Sequence, residues 1–138
     1  MGEVELPEEI KAVLENGVPA QVATCSAEGI PNATDISQVY YVDREHVALS
    51  NQFFSKTFRN IRANPRAAVC LNDIEGFTNW ILQLEFDRSE TEGPTFDAME
   101  MQIEAIASMT GMSSIFKLKG ADIYRVTSVE KIDYGPTS

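Results

Sequence analysis

The sequence predicts an α+β chain, mainly β, folded as an antiparallel barrel or sandwich. Three observations carry this expectation. Six or so short strand-like runs follow one another, most of them joined by turns too short to hold a helix. Helical patterns occur only three times, at wide spacing, which disfavours an alternating βαβ fold. One run, Thr78–Phe86, alternates cleanly between two faces.

The elements follow in order. Residues 7–16 read as a short helix: Pro7 suits a first turn, Ile10, Val13 and Leu14 form an apolar stripe, and Gly17 is a natural stop. Ala20–Ser26 and Ala33–Val42 are strand candidates joined by a turn at Glu28-Gly29-Ile30-Pro31. Val47–Ser50 is a short third strand. Ser55–Ala63 reads as a helix with Ser55 as N-cap and Asn64-Pro65 as its stop. Ala67–Leu71 is a continuous apolar run, hence a buried strand. In Thr78–Phe86, Trp80, Leu82, Leu84 and Phe86 point one way, and Asn79, Ile81, Gln83 and Glu85 the other. Phe96–Met109 is helical, with Phe96, Met99, Ile103 and Ile106 on one face. A last strand runs through Ala121–Ile132.

Composition bounds the function. The 138 residues are 43% apolar and 23% charged, ordinary for one domain able to bury a core without staples. No apolar run approaches the ~20 residues of a membrane-spanning helix, and the acidic start MGEVELPEEIK opens no secretion signal. Two cysteines are too few for a disulfide scaffold or a structural zinc site, and a lone His46 excludes a multi-histidine metal site. The formal charge of −10 argues against nucleic acid and anionic membranes as partners. Together these features predict a cytoplasmic protein without a metal.

The charge is unevenly placed. From His46 to Asn72 there is no Asp or Glu, while Lys56, Arg59, Arg62 and Arg66 give the stretch +4. Such an island either receives a small anion or pairs with acids elsewhere in the fold. Within it, Ser50-Asn51-Gln52-Phe53-Phe54-Ser55-Lys56-Thr57 follows a strand and opens a helix. Helix N-terminal amides, hydroxyls and one lysine suit a phosphate group. The segment contains no glycine, so it suits a single phosphate rather than a wrapped polyphosphate; the simpler alternative is an ordinary N-cap. Cys25 and Cys70 read as buried small hydrophobes, His46 as a surface residue, and Met99, Met101, Met109 and Met112 as gap-filling core. Trp80 reads as core, although an aromatic can also flank a ring-shaped ligand.

These residues carry a family resemblance. Val47-Ala48-Leu49-Ser50-Asn51, Phe54-Ser55-Lys56-Thr57, Arg59-Asn60 and Asn64-Pro65-Arg66 resemble the FMN-binding split-barrel family related to pyridoxamine 5′-phosphate oxidase. The Gly29-Ile30-Pro31 turn and the closing run Leu118–Val126 are similar too, so the likeness covers roughly residues 10–132. The resemblance implies a six-stranded antiparallel split β-barrel with peripheral helices, one FMN-binding domain over 1–138, and a homodimer with FMN in a cleft between copies. It implies that Thr34, Asp35, Ile36 and Ser37 lie along the flavin ring, and that Ser50 and Asn51 sit beside the ribityl chain and phosphate. Ser55, Lys56 and Thr57 would hold the phosphate, and Asn79 would reach the flavin where many relatives have a glutamine.

The departures concern activity. True oxidases of the family carry an arginine where this chain has Thr34, and two adjacent basic residues where it has Lys56 and Thr57. The segment that binds the oxidase substrate would follow Ser138, where the sequence ends. The expectation is therefore an FMN-dependent oxidoreductase of unassigned substrate and electron donor, and not a pyridoxamine 5′-phosphate oxidase. The alternative is a non-catalytic flavin or deazaflavin binding module, such as a redox sensor. No side chain is assigned as an acid or base, because the flavin carries the chemistry.

Overall fold

Among the described residues, alternation and turn chemistry build seven strands and three helices. The computed structural model describes residues 4–15, 17–36, 38–51, 55–110 and 118–133. The order is α1 (Glu8–Glu15), β1 (Ala20–Cys25), β2 (Pro31–Ile36), β3 (Val39–Asp43), β4 (His46–Asn51), α2 (Ser55–Ala63), β5 (Arg66–Asp73), β6 (Thr78–Glu90), α3 (Pro94–Thr110) and β7 (Gly120–Asp133). One antiparallel sheet holds all seven strands in the order β2-β1-β5-β6-β7-β4-β3. No helix among the described residues is long and apolar enough to cross a membrane.

The count of seven corrects the expected six. The single strand expected over Ala33–Val42 is two, because its halves pair with different partners. β2 pairs with β1 at one edge of the sheet, and β3 pairs with β4 at the other. A flat seven-stranded sheet is about 29 Å across at ~4.8 Å per strand. Ile36 and Val39 lie at its opposite edges but are three Cα steps apart, at most ~11 Å. The sheet therefore curls until its edges approach each other, which is the split-barrel shape.

The inward face follows from period-two alternation. Val22, Val69, Leu71, Trp80, Leu82, Leu84, Tyr124 and Val126 are buried, and Ile10 and Leu14 of α1 pack into the same cluster. Gly17 ends α1 at φ +69° with its N–H on the Leu14 carbonyl, a conformation that disfavours any side chain. A second cluster lies under α3, where Met99 and Ile103 meet Ala48, Ala121 and Ile123. β4 and β7 are thus covered on both faces, which explains the unbroken apolar run Val47–Leu49.

Several side chains differ from expectation. Cys25 and Cys70 are half-buried, because Thr24, Val69 and Leu71 take the inward positions on their strands. Met99 is core as expected, but Met101 is exposed on the opposite side of α3. Met112 lies outside the described residues, as does the Met109 side chain. His46 is only partly exposed, and its Nδ1 lies 2.8 Å from Asp43 Oδ1. Burial pushes the Asp43 carboxyl up, but the Glu45 N–H and His46 outweigh it and hold the carboxyl below its ordinary range.

Candidate functional site

The site begins where the two sheet edges approach. Along β2, Thr34, Asp35 and Ile36 stand opposite Val22, Gln21 and Ala20 of β1. Opposed residues share a face, so Thr34 and Ile36 turn inward and Asp35 stands exposed outside. Ser37 lies outside the described residues. Gln38, the next residue, is buried, and its Nε2 donates to Gln102 Oε1 of α3 at 2.5 Å. Its Oε1 is buried without a hydrogen-bond partner among the described residues. Such an orphaned acceptor in a native interior calls for an explanation.

Ser50 lies beside it. The Ser50 N–H donates to the Gln38 carbonyl at 3.3 Å, and Ser50 itself is fully buried at the end of β4. The structure therefore brings Ser50 to the 36–38 corner. Asn51 closes β4 opposite Gly120, and Ser55 and Lys56 form the first turn of α2; their side chains are outside the described set.

Helix α2 is anchored from below. Asn60 Nδ2 donates to Thr24 Oγ1 of β1 at 3.1 Å, both groups being buried. Thr57 also faces inward, at 5% exposure. It lines a small cavity of about 130 Å³ with Ile61, Arg62, Phe86, Ser89, Asp122 and Tyr124. Asp122 is buried there and accepts a 2.5 Å hydrogen bond from Ser89 Oγ. Burial, then the Asp122 charge, pushes the Tyr124 hydroxyl well above its ordinary pKa. The stretch from His46 to Asn72 is thus acid-free in sequence but not in space: β7 inserts a carboxylate beneath α2. Asp122 shares a strand face with inward Tyr124 and Val126, but nothing local ties it to Thr57.

The basic island resolves unevenly. Arg66 lies 3.9 Å from Glu85 on the exposed surface, Arg62 lines the cavity, and Arg59 is exposed. Asn79 stands apart from all of these. It lies on the outward side of β6, opposite Asn72 and Ile132. Ser50 pairs with Ala121, at the other end of β7. Eleven residues separate Ala121 from Ile132, about 36 Å along the strand path. The structure brings Ser50, Ile36 and the α2 N-terminus into one region and leaves Asn79 outside it. Among the described residues there is no group of three or more His, Cys, Asp or Glu that could hold a metal ion.

Known proteins share this fold. The sequence profile of the family described as pyridoxamine 5′-phosphate oxidase matches residues 6–126. An uncharacterized protein of Methanocaldococcus jannaschii is 35% identical over 68 residues, a stretch that is 48% of this chain and 45% of that protein. The chain thus aligns with less than half of that relative's length. Among solved structures, an FMN-binding protein from Syntrophomonas wolfei superposes with a TM-score of 0.76 at 12% identity, over 91% of this chain and 85% of that one. HupZ of Group A Streptococcus superposes with a TM-score of 0.72 at 20% identity, over 96% and 98%. An F420 reductase superposes with a TM-score of 0.62 at 15% identity, over 91% and 98%.

Proposed function

The chain belongs to the pyridoxamine 5′-phosphate oxidase family, and from that premise we propose that it is a single-domain, FMN-dependent oxidoreductase working as a homodimer in the cytoplasm. The observation that carries this reading is the pairing of an orphaned acceptor with a helix start. Gln38 Oε1 is a buried acceptor without a donor among the described residues, and a flavin ring has an imide N–H to offer. The first-turn N–H groups of α2 lack intrahelical partners, and FMN ends in a phosphate. Both features belong to the region around Ser50. Riboflavin fits only the first feature, and a nucleotide without an imide fits only the second.

In this reading FMN supplies the hydride or electron chemistry when bound. The chain binds and orients it. Thr34, Asp35, Ile36 and Ser37 line the ring edge, and Ser50 and Asn51 flank the ribityl chain. The amides of Ser55, Lys56 and Thr57, with the Lys56 ammonium, hold the phosphate. Thr57 takes part through its backbone N–H, because its side chain faces the cavity that Asp122 lines. That cavity of about 130 Å³ falls below the ~300–1,000 Å³ of small-molecule pockets, so it does not hold the ring. A second copy then closes the cleft and contributes Asn79, which one copy alone holds at the far end of the β6–β7 ladder. In a two-fold dimer each copy lends its Asn79 to the other. The free thiols of Cys25 and Cys70 fit a reducing compartment.

Resemblance to an F420 reductase favours one second reading, a deazaflavin in the same cleft, held in a module with or without turnover. Titration with FMN, riboflavin and a deazaflavin, followed by addition of a reduced nicotinamide and an electron acceptor, separates the readings. Preferential FMN binding with turnover supports the oxidoreductase. Preference for the deazaflavin, or tight FMN binding without turnover with any donor, overturns it.

A further inference from the structure

β3 is the outermost strand at one side of the sheet, and its free edge borders an opening. The opening holds about 350 Å³, within the ~300–1,000 Å³ of small-molecule sites. Lys11, Leu14 and Glu15 of α1 form one wall, Tyr40 and Tyr41 of β3 another, and Gln102 of α3 a third. Alternation explains why both tyrosines border it. Tyr41 packs on the inward cluster that holds α1, and Tyr40 on the cluster under α3, so the opening wraps the strand edge between them.

The polar groups around it are left over by the fold. The Ser50 N–H donates to the Gln38 carbonyl, and Tyr40 stands opposite Ala48 in the same register. Gln38 and Tyr40 therefore turn their main-chain polar groups toward β4. Tyr41 is out of phase with them, so its N–H and C=O point to the free edge. No loop or turn takes up either group among the described residues, and neither tyrosine hydroxyl has a hydrogen-bond partner among them. Lys11 Nζ lies 5.2 Å from the centre of the Tyr41 ring. It pairs with no carboxylate among the described residues, although Glu15 stands one turn away on the same helix. Gln102 uses its Oε1 on Gln38 Nε2 and keeps its amide N–H groups. One opening thus presents a main-chain donor and acceptor, one cation, one anion, and an apolar floor of Leu14 and two rings.

We propose that this opening binds a free α-amino acid with a large apolar side chain. The inference does not depend on the flavin reading. An amino acid carries its carboxylate and ammonium on one carbon, as a chain residue carries its C=O and N–H. It can therefore pair with Tyr41 as a single residue of an added strand. The carboxylate accepts from the Tyr41 N–H, and the ammonium donates to the Tyr41 C=O. Opposed residues share a face, so the ligand's side chain lies on the Tyr41 side of the strand, with buried Leu14. Charge narrows the class. A nucleotide or other polyanion meets a single lysine here, on a chain of formal charge −10, and a simple carboxylate meets Glu15. A zwitterion finds a partner for each of its charges.

The test is isothermal titration of the full chain with L-phenylalanine and four analogues: phenethylamine, 3-phenylpropanoate, glycine and N-acetyl-phenylalaninamide. L-Phenylalanine is expected to bind once per chain. Each analogue lacks the carboxylate, the ammonium, the side chain or both charges, and is expected to bind at least roughly ten-fold more weakly. Lys11 and Glu15 are exposed, so Lys11→Gln and Glu15→Gln keep the fold. Each is expected to weaken L-phenylalanine binding roughly ten-fold with unchanged circular dichroism. No saturable binding of L-phenylalanine at ~10 mM overturns the site. Binding of N-acetyl-phenylalaninamide as tight as that of L-phenylalanine also overturns it, since the edge would then be a place for an extended peptide. Wild-type affinity in both variants overturns it too, by putting the amino acid elsewhere on the chain.

Discussion

At Lys56 the argument rests on one charge. Lys56 is the one cation in the Ser55-Lys56-Thr57 turn, and a phosphate monoester carries close to two negative charges. A charge-assisted hydrogen bond of this type contributes ~1.5–3 kcal/mol. Lys56→Ala should weaken FMN binding roughly ten- to a hundred-fold and leave riboflavin binding nearly unchanged. Equal losses for the two ligands would place Lys56 away from the phosphate. Tyr124 supplies a pH prediction. Its hydroxyl titrates above its ordinary value in the folded chain, whereas in the unfolded chain it ionises near ~10. A raised folded pKa contributes stability that is complete below pH ~10 and is lost as pH climbs toward the folded value. Denaturant unfolding should therefore weaken above pH ~10, and Tyr124→Phe should flatten that alkaline decline; an identical decline in the variant would refute the assignment. Residue types alone suggest the phosphate-fitting turn. They did not reveal the Asp122 carboxylate beneath it, because 65 residues of chain separate Thr57 from Asp122 and only the barrel brings them together.

Single elements were read from the sequence where one period governs them. Ser55–Ala63 is helical over the expected residues, and β6 sets Trp80, Leu82 and Leu84 inward as its alternation requires. Truncating one of these, as in Leu82→Ala, should cost ~2–5 kcal/mol in chemical denaturation. Reading failed where a run changes partners. Ala33–Val42 reads in sequence as one strand-like run, and the break between β2 and β3 follows from which strands each half can reach. The β5–β6 turn shows how closely such corners are built. A Cβ on Gly76 would fall 2.7 Å from Asp73 Oδ2, the oxygen that accepts from Thr78. Gly76→Ala should displace that carboxylate and destabilise the hairpin by about 1 kcal/mol, read as faster amide exchange at the turn. Exchange rates equal to the wild type would mean that the carboxylate is not holding the turn.

The whole molecule is a split barrel whose fold is shared by proteins of differing ligands, so the fold alone assigns none. Charge narrows the choice of substrate. A pyridoxamine 5′-phosphate would bring a second phosphate dianion over the flavin, which needs a second cationic clamp. Among the described residues downstream of Arg66, Arg88 pairs with Asp87 and Glu90, Arg125 with Glu85 and Lys131 with Glu9, while Lys119 stands exposed; Lys117 lies outside the described residues. Without a clamp the substrate is poorly oriented, and lost orientation is costly in rate. FMN-loaded protein under air should therefore form pyridoxal 5′-phosphate with a kcat/KM well below ~10⁴ M⁻¹s⁻¹, and a value at or above that level would refute this exclusion. At this scale the sequence was most informative about the barrel and its family, and least informative about Asn79. Alternation already sets Asn79 on the outward side of β6, but its distance from Ser50 along the β6–β7 ladder follows only from the register of the strands. The central claim is that the Ser50–Thr57 region receives the phosphate of a flavin mononucleotide. The most direct measurement is the visible absorption spectrum of the purified protein, with mass spectrometry of whatever denaturation releases and an FMN titration of the emptied chain. The account predicts a flavin spectrum, the mass of FMN and one bound FMN per copy; release of a different chromophore, or failure of the emptied chain to bind FMN, would contradict it.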